Sequence, residues 1–196
     1  MSLAWLTGAL FGAQHVLTGP DHLAVVAPLS VGGTRSWRVG LAWGLGHAAG
    51  VWILAALVLG LGTWLPLESL SAWSERIVGL SVIAVGIWGL MRARTHAHEH
   101  AQSKMGRTVL AASMVGSLHG LAGGSHLLGV LPGLPLSEGG DRLAYLIAFG
   151  AASVLTMLLV TTVMGSQLVR RSWRERAAGA SSWIAIGVGI AWLWVG

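Results

Sequence analysis

HVLTGPDHLAVVAP, residues 15–28, and HGLAGGSHLLGVLP, residues 119–132, are one polar signature written twice, 104 residues apart. Each copy has a His, then Leu, Gly, a second His seven residues after the first, and finally Pro. His15 therefore pairs with His119, Gly19 with Gly123, Asp21 with Ser125, His22 with His126 and Pro28 with Pro132. Both copies lie inside long apolar stretches. An ionisable residue there is expensive, so it marks function by default. Matched Gly/Pro-interrupted segments in two halves of a chain point to a substrate site between repeats.

The composition around these motifs fits a polytopic membrane protein. Hydrophobic residues make up 54% of the 196 and charged residues only 10%, whereas a soluble domain carries about a quarter charged residues. Mean hydropathy is +0.71. Eleven Trp and 29 Gly suit bilayer interfaces and close helix packing respectively. The absence of Cys excludes disulfide, thiolate-metal and thiol-redox chemistry. The net charge of +5 comes from loop Arg and Lys and indicates no nucleic-acid partner. The apolar start without a basic n-region speaks against a cleaved signal peptide.

A spanning helix needs about 20 apolar residues. Six segments qualify: 3–31, 39–61, 74–91, 108–136, 143–168 and 177–195. The first and fourth are overlong and broken. With six spans, three alternate loops hold Arg35, Arg38, Arg92, Arg94, Lys104, Arg107, Arg170, Arg171, Arg174 and Arg176. Only Arg76 and Arg142 fall on the other side. The positive-inside rule then puts both termini outside the cytoplasm, in the cell (inner) membrane. ERIVGLSVIAVG from Glu75 matches ERAAGASSWIAIG from Glu175 with one extra residue. Spans one to three thus resemble spans four to six. Three is odd, so the copies are inverted. The expected fold is all-α, with a first three-helix repeat over 1–95, a His-containing cytoplasmic loop over 96–107 and a second repeat over 108–196.

On an unbroken helix His15 and His22 would stand about 10 Å apart along the axis. Metal–imidazole bonds are about 2.0–2.1 Å, so the two rings need a break between them to share an ion. Thr18-Gly19-Pro20 supplies one, and Gly123 and Gly124 supply its counterpart. Asp21 has two open roles, capping the half-helix that follows or ligation. Imidazoles with one carboxylate suit a divalent transition metal rather than magnesium or calcium. His15, Asp21, His22, His119 and His126 are the candidate ligands. His47, in GLGHAAG, reads as a further ligand or as a hydrogen bond between helices; its counterpart is Ala151. His96, His98 and His100 in THAHEHAQSK read as a loop that captures metal or as a solvated linker.

The run HVLTGPDH resembles the His–Asp–His signature of the nickel/cobalt transporter superfamily. GPDHLA with APLS, Gly46-His47 and Leu118-His119-Gly120 resemble its UreH-like branch, over essentially the whole chain. Five residues separate His15 from Asp21, where the better-known nickel permeases have four. The resemblance implies a membrane carrier, not an enzyme, with Ni2+ or Co2+ as substrate; the ligand chemistry alone also admits Zn2+, Fe2+ and Mn2+. A homo-oligomer or a metallochaperone partner is compatible with this reading. Two other classes stay open: a metal-binding chaperone or assembly factor, and a haem-binding electron-transfer protein with paired axial His.

Overall fold

The Gly19-Pro20 step breaks the first apolar segment as the sequence predicts. The structure is a computed structural model that describes residues 3–30, 35–61, 64, 67–94, 101–122, 139–166 and 171–195. Seven α-helices follow one another among them: α1 Leu3–Thr18, α2 Pro20–Ser30, α3 Ser36–Leu61, α4 Leu67–Arg94, α5 Ala101–Leu121, α6 Gly139–Gly165 and α7 Arg171–Val195. The Gly19 peptide serves both sides of the break. Its N–H donates to the His15 carbonyl (3.0 Å) to finish α1, and its carbonyl accepts from Leu23 (3.4 Å) to start α2. Pro20 is the first residue of α2, where its missing N–H costs nothing and its fixed φ suits the helix.

The exterior is apolar, unlike that of a water-soluble globule, and a polar cluster lies within an otherwise apolar core. Asp21, His22, His47, His119 and Ser153 are buried, while Leu10, Leu80, Leu155, Leu159 and Ile184 lie on the outside, each more than half exposed. Apolar side chains around the whole girdle suit hydrocarbon, not water. Among the described residues, four helices are long and apolar enough to cross a membrane: Ser36–Leu61, Ala72–Arg92, Gly139–Gly165 and Arg176–Trp194. The chain is therefore an all-α integral membrane protein. The sixteen residues of α1 and eleven of α2 extend only about 24 and 17 Å, so neither half alone crosses a core of about 30 Å.

Several helices begin earlier than the apolar pattern suggests. α4 starts at Leu67 rather than 74, α5 at Ala101 rather than 108, and α7 at Arg171 rather than 177. Hydropathy locates the apolar part of a helix, whereas backbone hydrogen bonding runs on into its polar flank. α5 ends at Leu121, and the Ala122 N–H donates to the Leu118 and His119 carbonyls. The predicted second break at Gly123 and Gly124 lies outside the described residues.

Four helix pairs make the body: α3 with α5, α1 with α6, α4 with α7, and α3 with α6. α2 wedges mainly against α7 and also touches α3, α4, α5 and α6. Small residues set these crossings. A Cβ on Gly8 or Gly12 would collide with the carbonyls of Tyr145 or Phe149 across the α1–α6 seam. Likewise, a Cβ on Gly116 or Gly120 would collide with the carbonyls of Trp43 or His47 across the α3–α5 seam. Such backbone proximity is how apolar helices associate where no hydrophobic effect drives them together. It also carries α5's last turn up against the turn of α3 that holds His47.

Candidate metal-binding site

Four histidines and one carboxylate from four helical segments converge beside the break. His15 comes from the last turn of α1, Asp21 and His22 from the first turn of α2, His47 from the middle of α3, and His119 from the end of α5. His22, His47, His119 and Asp21 are buried, and His15 is partly buried. The break brings the Nε2 atoms of His15 and His22 to 3.1 Å. Had α1 continued, these rings would be about two turns apart. Ring centroids lie 4.6 Å apart for His15–His22, 5.4 Å for His15–His47, 5.0 Å for His22–His47 and 5.9 Å for His22–His119.

Gly19 makes the convergence sterically possible. A Cβ there would lie 2.5 Å from His22 Nδ1 and 3.1 Å from Asp21 Oδ1. With no side chain at 19, the His22 ring folds back over the break and its Nδ1–H donates to Asp21 Oδ1 at 2.9 Å. A carboxylate only accepts, so this bond fixes the neutral tautomer and leaves the lone pair on Nε2. Asp21 also sits in the first turn of α2, where the helix dipole favours negative charge. Capping and orientation are thus compatible roles for one carboxylate.

His119 is prepared in a parallel way. Its Nδ1–H donates to the Val115 carbonyl one turn back, at 3.0 Å. Its Nε2 is buried, has no hydrogen-bond partner among the described residues, and faces Asp21 Oδ2 at 3.9 Å. A lone pair opposite a carboxylate oxygen is an arrangement that a cation between them relieves.

The spacing suits a first-row divalent ion. Two nitrogens bound at about 2.0–2.1 Å, at angles between a right angle and the tetrahedral value, stand roughly 2.9–3.4 Å apart. The His15–His22 separation of 3.1 Å falls inside that interval. One ligand nitrogen each from His15, His22 and His47 lie within 4.8 Å of one another. Hydrogen bonding of the remote ring nitrogen to a carboxylate or carbonyl is how ligating imidazoles are held in tautomer and direction. His22 and His119 both have it.

Trp43 is the residue that the sequence pattern did not single out. Fully buried, it lies one turn before His47 and stacks on that ring (4.9 Å between centroids, 11° between planes). It also meets the His22 and His119 rings, with centroids 5.1 and 5.7 Å away and planes inclined by 62° and 61°. It forms an apolar floor under three of the imidazoles. The signal available was a Trp four residues before an intramembrane His, on the same helix face. Phe149 closes the His15 side at 5.6 Å, and Ser153 Oγ donates to the Gly12 carbonyl at 3.2 Å, tying α6 to α1 beside it.

Among the expected ligands, His15, Asp21, His22, His47 and His119 come together. His126, and the loop residues His96, His98 and His100, lie outside the described residues.

Known proteins similar to this chain include a protein named as a putative nickel/cobalt efflux system, a urease accessory protein and two chloroplast proteins. The chain is 30% identical over 175 residues to a protein of Methanocaldococcus jannaschii named "Putative nickel/cobalt efflux system", covering 85% of the chain and 78% of that protein. It is 28% identical over 176 residues to the urease accessory protein UreH of Bacillus sp. (strain TB-90), covering 81% of the chain and 74% of UreH. It is 36% identical over 212 residues to the chloroplast protein FOR GROWTH AND FERTILITY 2 of Arabidopsis thaliana. That match covers 97% of the chain, which spans only 56% of the plant protein's length. No family model and no solved structure matches the chain.

Proposed function

The chain belongs to the nickel/cobalt transporter superfamily, in its UreH-like branch, and from that premise we propose that it is a permease for a divalent transition-metal cation, Ni2+ or Co2+. The cation binds between His15, His22, His47 and His119, with Asp21 supplying the negative charge and the orienting hydrogen bond. His126 stands at the position matching His22 in the second copy and completes the set.

The observation that carries the reading is the pair of Nε2 atoms at 3.1 Å across a helix break, with the His22 ring anchored on Asp21 behind them. Interhelical glue alone leaves unexplained the His119 Nε2, which is buried without a hydrogen-bond partner among the described residues and faces Asp21 Oδ2 at 3.9 Å. A site at a helix break, between segments that can move apart, also suits release, which transport requires as much as binding.

The architecture proposed is six spans in two inverted repeats of three, with the first and fourth broken. Helix packing supports it. Exchanging the halves turns the α1–α6 seam into the α5–α3 seam, while α3–α6 and α4–α7 map onto themselves. The shared site then sits near the bilayer midplane, where rocking of one repeat against the other opens it to alternate sides. The ten-to-two division of Arg and Lys supports an orientation with both termini outside the cytoplasm. The loop histidines His96, His98 and His100 then face the cytoplasm and hand over or collect the ion.

Flux in proteoliposomes tests this. Nickel or cobalt should cross faster than zinc, iron or manganese, and His22→Ala and His119→Ala should abolish the difference from empty vesicles. Tight binding without flux would replace the permease with a metal-holding accessory factor. Undiminished flux in both variants would remove the site.

A further inference from the structure

A groove that none of the site histidines lines opens at the shared end of α3 and α5. It has a volume of about 480 Å³. Arg35, Trp37 and Arg38 stand at its mouth, and Leu41, Leu45 and Val109 form a wall running one to two turns deeper along the helices. The two helices are parallel: Trp43 meets Gly116, and Gly50 meets Gly120, so both N-termini are at the mouth. The positive ends of two helix dipoles therefore add to the two guanidinium charges. Neither Arg35 nor Arg38 has an acidic partner among the described residues, and both are exposed. The Arg38 guanidinium lies over the Trp37 ring at 5.3 Å, which holds it at the mouth.

We propose that this groove binds one anionic phospholipid, its phosphate at Arg35 and Arg38 and an acyl chain along Leu41, Leu45 and Val109. Charge complementarity selects the headgroup, since basic pockets between membrane helices bind anionic lipid heads. The apolar wall selects a lipid over a free phosphate. Leu45 is 55% exposed beside it, so the wall is continuous with the lipid-facing surface. The repeat supplies a contrast. At the matching positions of the second copy, Arg35 becomes Gly139 and Trp37 becomes Asp141, with only Arg142 kept. The duplicated framework has thus been given a cationic mouth at one end only, on the side whose loops are basic. Lipid in the groove bridges the two helices that carry Trp43, His47 and His119.

The test reads lipid, not metal, so it stands or falls apart from the permease reading. Protein purified in mild detergent is titrated with phosphatidylglycerol, phosphatidylcholine or sn-glycerol 3-phosphate, and bound lipid is counted by native mass spectrometry. Phosphatidylglycerol should bind at one per chain, phosphatidylcholine should not, and glycerol phosphate should not displace it. Retention should fall at least about tenfold in the Arg35→Gln/Arg38→Gln double variant, as the loss of two cationic contacts implies. It should also fall in Val109→Trp, which fills the apolar wall with the charges intact, and stay unchanged in Arg142→Gln. Equal binding of both lipids, retention unaltered in Val109→Trp, or displacement by glycerol phosphate would each overturn the proposal. Should the double variant fail to fold, Val109→Trp and the lipid comparison on the unaltered protein decide it.

Discussion

Gly19→Ala is the smallest change that separates the geometry of the site from its chemistry. No ligand is removed and no charge altered. The new methyl carbon would sit 2.5 Å from His22 Nδ1 and 3.1 Å from Asp21 Oδ1. Ordinary contact needs about 3.5–4.0 Å, so the His22 ring must retreat by about 1 Å. That shift carries Nδ1 beyond hydrogen-bond reach of Asp21, starting from 2.9 Å. It also moves Nε2 by several times the tolerance of roughly 0.2 Å that a metal site allows. Losing the orienting partner of a ligating imidazole costs about 10–100-fold in affinity, so Ni2+ or Co2+ binding should weaken at least that much. Stability should hold or fall slightly, because Gly19 lies between α1 and α2, and Pro20 still bars α1 from running on. The assay is isothermal titration of the purified variant with Co2+, beside a thermal melt. Affinity within twofold of the unaltered protein, with the melt unchanged, would refute the reasoning that Gly19 makes room for the ring.

Asp21→Asn keeps an oxygen to accept from His22 Nδ1 but removes the charge, so cobalt affinity should fall about 10–100-fold with the fold intact by circular dichroism. Gly116→Val drives a side chain into the Trp43 carbonyl. The α3–α5 seam should lose about 1–3 kcal/mol, read as a lower melting temperature, with cobalt binding weakened because Trp43 and His47 shift together. Acidification should weaken metal binding, since protons and the ion compete for the same ring lone pairs. The apparent dissociation constant, followed from neutral pH down to the acid limit of the fold, should rise by up to tenfold per unit for each proton displaced. A profile flat all the way to that limit would mean that imidazole is not the ligand.

Much of the architecture near the site was legible because the residues involved punctuate a helix in known ways. Gly19 and Pro20 end one helix and start the next for reasons of sterics and a missing donor, whatever surrounds them. The duplicated His spacing then showed that His15 and His22 had to be judged together. Trp43 was not legible. Its ring orientation depends on α5 crossing at Gly116 and Gly120, a tertiary fact that no local pattern carries. His47 was ambiguous for the same reason: its helix neighbours are small residues whatever its role, and only the approach of α1 and α2 places it 5.0 Å from His22. The early starts of α4, α5 and α7 escaped the hydropathy pattern because their first turns are polar, and helical hydrogen bonding does not stop at the edge of the apolar stretch. The groove between Arg35 and Val109 was likewise hidden, since those residues are 74 positions apart and meet only because the α3 and α5 N-termini lie side by side.

X-ray absorption at the nickel edge of the loaded protein tests the central claim most directly. One ion held between rings from α1, α2, α3 and α5 predicts nitrogen and oxygen neighbours at about 2 Å. It also predicts the outer-shell scattering of at least three imidazoles, reduced in His22→Ala and in His119→Ala. An all-oxygen shell, or imidazole scattering unchanged in both variants, would contradict it.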